Sequence, residues 1–125
     1  MSLASKTYFR FAQEAEQSME KEADPRRKKE YRKVAAQNYF YSAMEAIESV
    51  LQKAGIDSYL INSHNERLQL VKKNNTLFKD PVNLILKMEI MIHYDYRRKV
   101  AYKGENGNKF IVVKELARLC QDEIN

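Results

Sequence analysis

The residues that build common catalytic and metal-binding motifs are scarce in this chain of 125 residues. It contains one cysteine, two histidines, three glycines, two prolines and no tryptophan. A lone cysteine, Cys120, excludes an internal disulfide and a cysteine-based zinc site. The few glycines leave little material for a glycine-rich phosphate loop, and no His-Glu-x-x-His or dinucleotide-binding motif is present. We therefore expect neither a metal ion nor a cofactor.

The composition is that of a single globular domain. Apolar residues make up 44% and charged residues 31% of the chain, which excludes both a disordered and a membrane-spanning class. One domain over residues 1–125 is expected at this length. Charged residues such as Lys6 and Arg10 interrupt the N-terminal stretch, which therefore has no long apolar core of the kind found in a signal peptide. We predict no signal peptide and a cytoplasmic location. The net charge of +5 favours polyanionic partners, although it is also an ordinary charge for solubility.

Helical periodicity dominates the first half of the chain. Apolar residues from Tyr8 to Met19, including Phe11, recur at spacings of three and four and predict a helix over Ala4–Ala23. Asp24 followed by proline is a helix start signal, and Gly55 suits a C-terminal cap. These signals predict a long second helix over Pro25–Ala54. One of its faces is strongly apolar and a second is weakly so, which is typical of the central helix of a bundle.

The second half predicts three shorter helices. Ser63 and Glu66 form a capping box, in which the Ser63 hydroxyl accepts a hydrogen bond from the Glu66 backbone N–H and the Glu66 carboxylate accepts one from the Ser63 backbone N–H. A short third helix follows. A second Asp-Pro pair at residue 80 opens a fourth helix, predicted to continue to Val100. A loop over Gly104–Gly107 precedes a last helix over Ile111–Ile124. Since no run alternates with period two, we predict an all-α, antiparallel up-down bundle of four to five helices.

The first basic run lies at the start of the second helix. Six cations occur within eight residues, at the end of the helix where its dipole disfavours positive charge. Either an anionic partner binds there, or Glu30 and the acidic end of the first helix neutralise the charge locally. The six residues are Arg26, Arg27, Lys28, Lys29, Arg32 and Lys33.

The second basic run follows His93. On a continuous helix His93 and Arg97 share a face, with Tyr94 or Tyr102 near the same end. A general base beside a guanidinium suits phosphodiester chemistry. The alternative is an ordinary helix surface, in which Asp95 pairs with a lysine and the tyrosines pack. His64, directly after Ser63, is interpreted as a neighbour of the cap rather than as a ligand.

The stretch from Tyr39 to Leu51, followed by Gly55 and Ser63-His64, resembles the HEPN (higher eukaryotes and prokaryotes nucleotide-binding) domains. The resemblance covers about residues 4–121. It implies an antiparallel four- to five-helix bundle, commonly a homodimer. Many members of this family are metal-independent ribonucleases, and others are inactive relatives that bind nucleotides or RNA.

Active HEPN domains resemble one another in an arginine followed four to six residues later by a histidine. Arg97 stands at the matching place here, but Tyr102 takes the position of the histidine. A phenol with an ordinary pKa near 10 is a poor general base at neutral pH. The resemblance therefore favours binding of RNA or a nucleotide without catalysis, through Arg97, Arg98, Lys99 and Lys103.

Two alternatives remain open from the sequence. The first is a divergent metal-independent endoribonuclease, in which Arg97 stabilises the transition state and Tyr102 or His93 handles the proton. The second is a dimeric protein-interaction partner in a toxin–antitoxin type system, for which an exposed apolar strip on the second helix would be evidence. The expected partners are thus a second copy of the chain, RNA or a nucleotide, or another protein, but no membrane.

Overall fold

The computed structural model describes residues 2–57 and 61–125, and these ranges contain helices but no strand. This confirms the prediction of an all-α fold. In the same ranges no helix is sufficiently long and apolar to cross a membrane. The helices are α1 (Leu3–Lys21), α2 (Pro25–Lys53), α3 (His64–Lys73), a 3-10 turn (Asn75–Leu77), α4 (Pro81–His93), a π-helix (Arg97–Tyr102, hereafter the π segment) and α5 (Asn108–Ile124).

The starts predicted for α2, α3 and α4 are where the sequence signals place them, whereas α5 begins at Asn108 and not at the predicted Ile111. The side chains of Asp24 and Asp80 each accept a hydrogen bond from a backbone N–H in the first turn of α2 and α4. Ser63 accepts from the backbone N–H of Glu66 at 3.1 Å and so caps α3. The Glu66 carboxylate accepts from the backbone N–H of Asn62, one residue before the predicted one. Ser2 likewise accepts from the backbone N–H of Ser5 at 3.1 Å and caps α1, so a side-chain cap is present at four of the five main helix starts.

α2 lies at the centre and packs against α1, α5 and the π segment. α1 runs antiparallel to α2: Ser5 near the start of α1 meets Ser42, and Phe9 meets Tyr39, which lies earlier in α2. Ser5 and Ser42 are fully buried, and each hydroxyl donates to the carbonyl of the other residue. Because buried hydroxyl groups are costly unless they are paired, this joint fixes how α1 and α2 align.

The core contains most of the apolar positions that the periodicity predicts. On α1, however, Phe11 is 43% exposed, while Phe9 packs against the core in its place. The buried face of α1 includes the small residues Ala12 and Ala15. Small residues on the contact face bring the α1 and α2 backbones close together, and the large Phe11 ring lies outside that face.

The prediction that the fourth helix continues to Val100 is wrong. α4 ends at His93, and Asp95 has a left-handed backbone with φ of 54°. The backbone N–H of Lys99 then donates to the Asp95 carbonyl and begins a new helical stretch. Periodicity misses the break because Val100 is buried like a residue of a continuous helix. As a consequence, His93 and Arg97 do not lie on one helix.

The π segment is held against α2 by side chains of α2. Gln37 donates to the carbonyl of Ala101 at 2.8 Å, and Arg32 donates to the carbonyl of Gly104 at 2.9 Å. A Cβ atom at Gly104 would lie 2.8 Å from Cγ of Lys29, so a larger residue would push this loop away from α2. These contacts set the position of Arg97 and Tyr102 relative to the central helix.

Candidate functional site

A half-open cavity of about 360 Å³ lies among α2, α3, α4, α5 and the π segment. Its floor is apolar and its rim carries charged and aromatic groups, which is the usual composition of a small-molecule site. The apolar lining residues are Phe40, Met44, Met88, Met91, Ile92 and Leu116. The rim residues are His64, Arg67, Asp95, Arg97, Arg98 and Tyr102.

Two arginines meet on opposite sides of one histidine at this rim. Nη1 of Arg67 lies 2.8 Å from Nδ1 of His64, and Nη1 of Arg97 lies 2.9 Å from Nε2. We name these three residues the Arg–His–Arg cluster. Arg67 also pairs with the Glu48 carboxylate at 3.4 Å, and its Nε is buried without a hydrogen-bond partner. In the described ranges Arg97 forms no ion pair with a carboxylate.

The cluster holds more donors than acceptors. A neutral imidazole accepts a hydrogen bond at one nitrogen and donates at the other, whereas a guanidinium only donates. His64 can therefore accept a hydrogen bond from only one arginine at a time. An N–H group of the other guanidinium then faces the N–H group of the ring and has no acceptor there. Burial, and then the positive charges of Arg67 and Arg97, lower the pKa of His64 below its ordinary value. The ring is thus neutral at pH 7, and an anion would satisfy the surplus donors.

The Arg97 guanidinium lies between two aromatic rings, 5.0 Å from the centre of Phe40 and 5.6 Å from that of Tyr102. Such cation–π contacts hold the flat group in one orientation. In an α-helix, the fifth residue along lies roughly 140° around the axis. In a π-helix the hydrogen bonds join residues five apart, which brings Arg97 and Tyr102 to the same side. The π segment therefore creates this pair.

The other predicted binding residues lie on the π segment or directly after it. Arg98 pairs with Asp95 at 2.6 Å, Lys99 is half-buried, and Lys103 is exposed. The Gly104 loop that follows lies against the side chains of Lys29 and Lys33, which belong to the first basic run. The fold thus brings the two basic runs together, although about 70 residues separate them in the chain.

His93 is exposed, and its ring packs edge-on against Tyr94. It lines a separate, shallow groove beside Asn65 and Gln69, not the cavity. His64 takes the place beside Arg97 that the sequence suggested for His93. In the sequence, His64 follows the capping serine of α3 and belongs to the Ser63-His64 pair of the family resemblance, but neither feature signals a pairing with Arg97.

No group of three or more metal-ligating side chains occurs in residues 2–57 and 61–125. Cys120 is fully buried, and burial raises the pKa of its thiol, so it is packing rather than a nucleophile. Comparison with protein-family models, with curated proteins and with solved structures finds no match to this chain. The functional argument therefore depends on the geometry of the cavity and its rim.

Proposed function

We propose that this protein binds RNA or a nucleotide by its phosphate groups at the Arg–His–Arg cluster. The observation that carries the proposal is the approach of Arg67 and Arg97 to the two nitrogens of His64. Two guanidinium groups that converge on a neutral ring attract an anion with several acceptor oxygens. Arginine binds phosphate in a bidentate manner, and such charge-assisted hydrogen bonds are among the strong ones in proteins.

The surrounding surface supports a strand rather than an isolated phosphate ion. Lys99 and Lys103 extend the positive charge from the cavity along the π segment, and Lys29 and Lys33 continue it onto α2. Glu30 pairs with Lys33, and Glu105 with Lys109, so the surface also contains carboxylates. Exposed ion pairs of this kind are weak, and a polyanion can displace them. The same proposal includes membership of the HEPN domains as a divergent, binding member.

The test is the affinity for a labelled single-stranded RNA, measured by fluorescence anisotropy over a series of salt concentrations. The logarithm of affinity should fall linearly with the logarithm of salt concentration. Arg97→Ala should weaken binding about tenfold or more, since a charge-assisted hydrogen bond contributes roughly 1.5–3 kcal/mol. Arg10→Ala removes an exposed arginine of α1 and is the matched control. Equal affinity of the wild type and Arg97→Ala would refute the proposal.

A second candidate is a metal-independent endoribonuclease, which the contact between Arg97 and His64 favours. With the Arg97 guanidinium turned to the phosphate, Nε2 of neutral His64 would be free to take the proton of a ribose 2′-hydroxyl as that oxygen attacks the adjacent phosphorus. The bond from phosphorus to the 5′-oxygen breaks, and the leaving oxygen takes a proton from water. Arg97 would stabilise the charge on the non-bridging oxygens. The products would be a 2′,3′-cyclic phosphate and a 5′-hydroxyl.

This candidate is tested on a gel with the same RNA in EDTA. Cleavage should be lost in both His64→Gln and Arg97→Ala, but it should persist in His93→Gln, because His93 lies outside the cavity. Cleavage that is equal in all variants would indicate a contaminating nuclease. Binding without cleavage would leave the first proposal as the function.

We also propose that the chain forms a homodimer through an exposed strip of α2. Tyr31, Val34 and Tyr41 lie on one face of this helix, and they are 36–45% exposed. Phe11 of α1 is exposed to a similar degree. Sedimentation velocity should give a dimer for the wild type and a monomer for Val34→Glu. A wild-type monomer would refute the proposed homodimer.

A further inference from the structure

We propose that the cavity beneath the Arg–His–Arg cluster is a binding site for one unstacked base of the bound nucleotide or strand. This inference depends on the phosphate binding proposed above. It adds that the ligand also carries a base, which enters the cavity. Three independent features of the cavity support it: its size, the chemistry of its floor, and the aromatic groups at its rim.

The size fits a ring system. A cavity of about 150 Å³ inside a protein binds a benzene molecule. The present cavity measures about 360 Å³ and is half-open, so it has room for one or two fused rings with an attached sugar at the opening. A phosphate alone would reach the cluster at the rim and leave the floor in contact with water.

The floor suits an aromatic body. Met44, Met88 and Met91 supply three of its apolar side chains, and all three are buried. Methionine sulfur makes favourable contacts with aromatic ring edges, and its unbranched chain adapts to ligand shape. A saturated chain would gain the burial but not the sulfur–aromatic contacts. This observation selects a base over an aliphatic body.

The rim supplies surfaces on which a base can stack. The Tyr102 ring is 52% exposed and already faces the Arg97 guanidinium at 5.6 Å. Unstacked bases in RNA complexes stack on aromatic rings and on guanidinium planes, while their polar edges find hydrogen bonds. Asp95 and Arg98 pair with each other at the same rim, and the second carboxylate oxygen and the remaining guanidinium N–H groups can accept from and donate to such an edge. The phosphate then lies within reach of Arg67 and Arg97.

The experiment compares three ligands that share a phosphate: inorganic phosphate, ribose 5-phosphate and AMP, with decanoate as the aliphatic anion. Calorimetry should show AMP binding at least tenfold tighter than ribose 5-phosphate. Ile92→Trp narrows the cavity at a residue that is 37% exposed, and it should bring AMP down to the affinity of ribose 5-phosphate. Ile111→Trp makes the same change on exposed α5 surface away from the cavity, so AMP affinity should remain at the wild-type value.

Methyl NMR of the methionines gives a direct readout that does not depend on the variants. AMP should shift the methyl signals of Met44, Met88 and Met91 by its ring current, whereas ribose 5-phosphate should not. Met19, outside the cavity, is the internal control. Equal binding of AMP and ribose 5-phosphate would overturn the inference and leave phosphate binding intact. Tighter binding of decanoate than of AMP would also overturn it. No binding of any phosphate compound or RNA would refute the proposed function itself.

Discussion

Arg97 and His64 are 33 residues apart in the chain, yet Nη1 of one lies 2.9 Å from Nε2 of the other. The contact joins the π segment to the first turn of α3. It gives the histidine a cationic neighbour on its second nitrogen, in addition to Arg67 on the first. Because the ring is half-buried between two positive charges, its protonation is unfavourable in the folded protein.

This arrangement predicts a pH dependence of stability. His64 has a lowered pKa in the folded state, so the unfolded chain binds more protons once the pH falls below about 6.5. The contribution of His64 to the free energy of unfolding should therefore be fully present above that pH. It should decrease as the pH falls towards the folded-state pKa. Urea unfolding of the wild type and of His64→Gln between about pH 7.5 and pH 5 measures it. If both proteins lose the same stability over this range, His64 is not the group responsible.

The contact of the two basic runs predicts a change in salt dependence. Lys29→Gln together with Lys33→Gln should reduce the slope of log affinity for RNA against log salt concentration by up to about 1.4, at roughly 0.7 per phosphate contact. Lys53→Gln with Lys73→Gln removes two cations from the ends of α2 and α3 and is the charge-matched control. A slope that changes equally in both pairs would mean that only the net charge matters.

Asp95 predicts a backbone effect at the junction between α4 and the π segment. Its φ of 54° is tolerated by aspartate but is unfavourable for alanine, at roughly 1–2 kcal/mol. Asp95→Ala should lower the free energy of unfolding by about that amount, plus a small loss from the exposed ion pair with Arg98. Asp95→Gly removes the same ion pair without the strain, and it should remain within about 1 kcal/mol of the wild type. Equal effects of the two variants would show that the ion pair, not the backbone, is decisive.

A partly buried polar network joins α1, α2 and α5, and its loss should lower the stability of the protein. The Tyr39 hydroxyl donates to Glu16 at 2.5 Å, and Lys114 of α5 donates to the other oxygen of that carboxylate at 2.7 Å. Burial and the Glu16 carboxylate raise the pKa of Tyr39, which keeps the hydroxyl protonated. Tyr39→Phe should cost roughly 1.5–3 kcal/mol, the value of a hydrogen bond to a charged group. Tyr94→Phe changes an exposed tyrosine, and its effect in the same urea titration should be within about 0.5 kcal/mol of zero.

Local signals in the sequence predict the helices well, because caps and periodicity depend on neighbouring residues. The sequence predicts the second helix over Pro25–Ala54, and the structure has it over Pro25–Lys53. The break at Asp95 is not predictable in this way, since aspartate adopts both right-handed and left-handed backbone and the position of the π segment depends on contacts with α2. Periodicity continues across it because Val100 is buried against the same core.

The candidate site is only half predictable for the same reason. Arg97 and Tyr102 belong to one local stretch, so their spacing is visible in the sequence. Their histidine neighbour comes from another helix, and neither the capping serine before His64 nor the Ser63-His64 pair of the family resemblance indicates that contact. A contact between distant segments does not show in the spacing of apolar residues. The sequence therefore suggests His93, which is nearer to Arg97 in the chain, as the histidine of the site.

The unbroken course of α2 has a consequence for the length of strand that the protein can hold. Lys33 lies beside the Gly104 loop and Phe40 lines the cavity, seven residues further along the same helix. At 1.5 Å per residue these positions are about 10 Å apart along the axis. A stacked strand advances about 3.4 Å per phosphate, so about three phosphates cover this distance. A mononucleotide occupies one end only, and the rigid helix sets the minimum oligonucleotide that engages both.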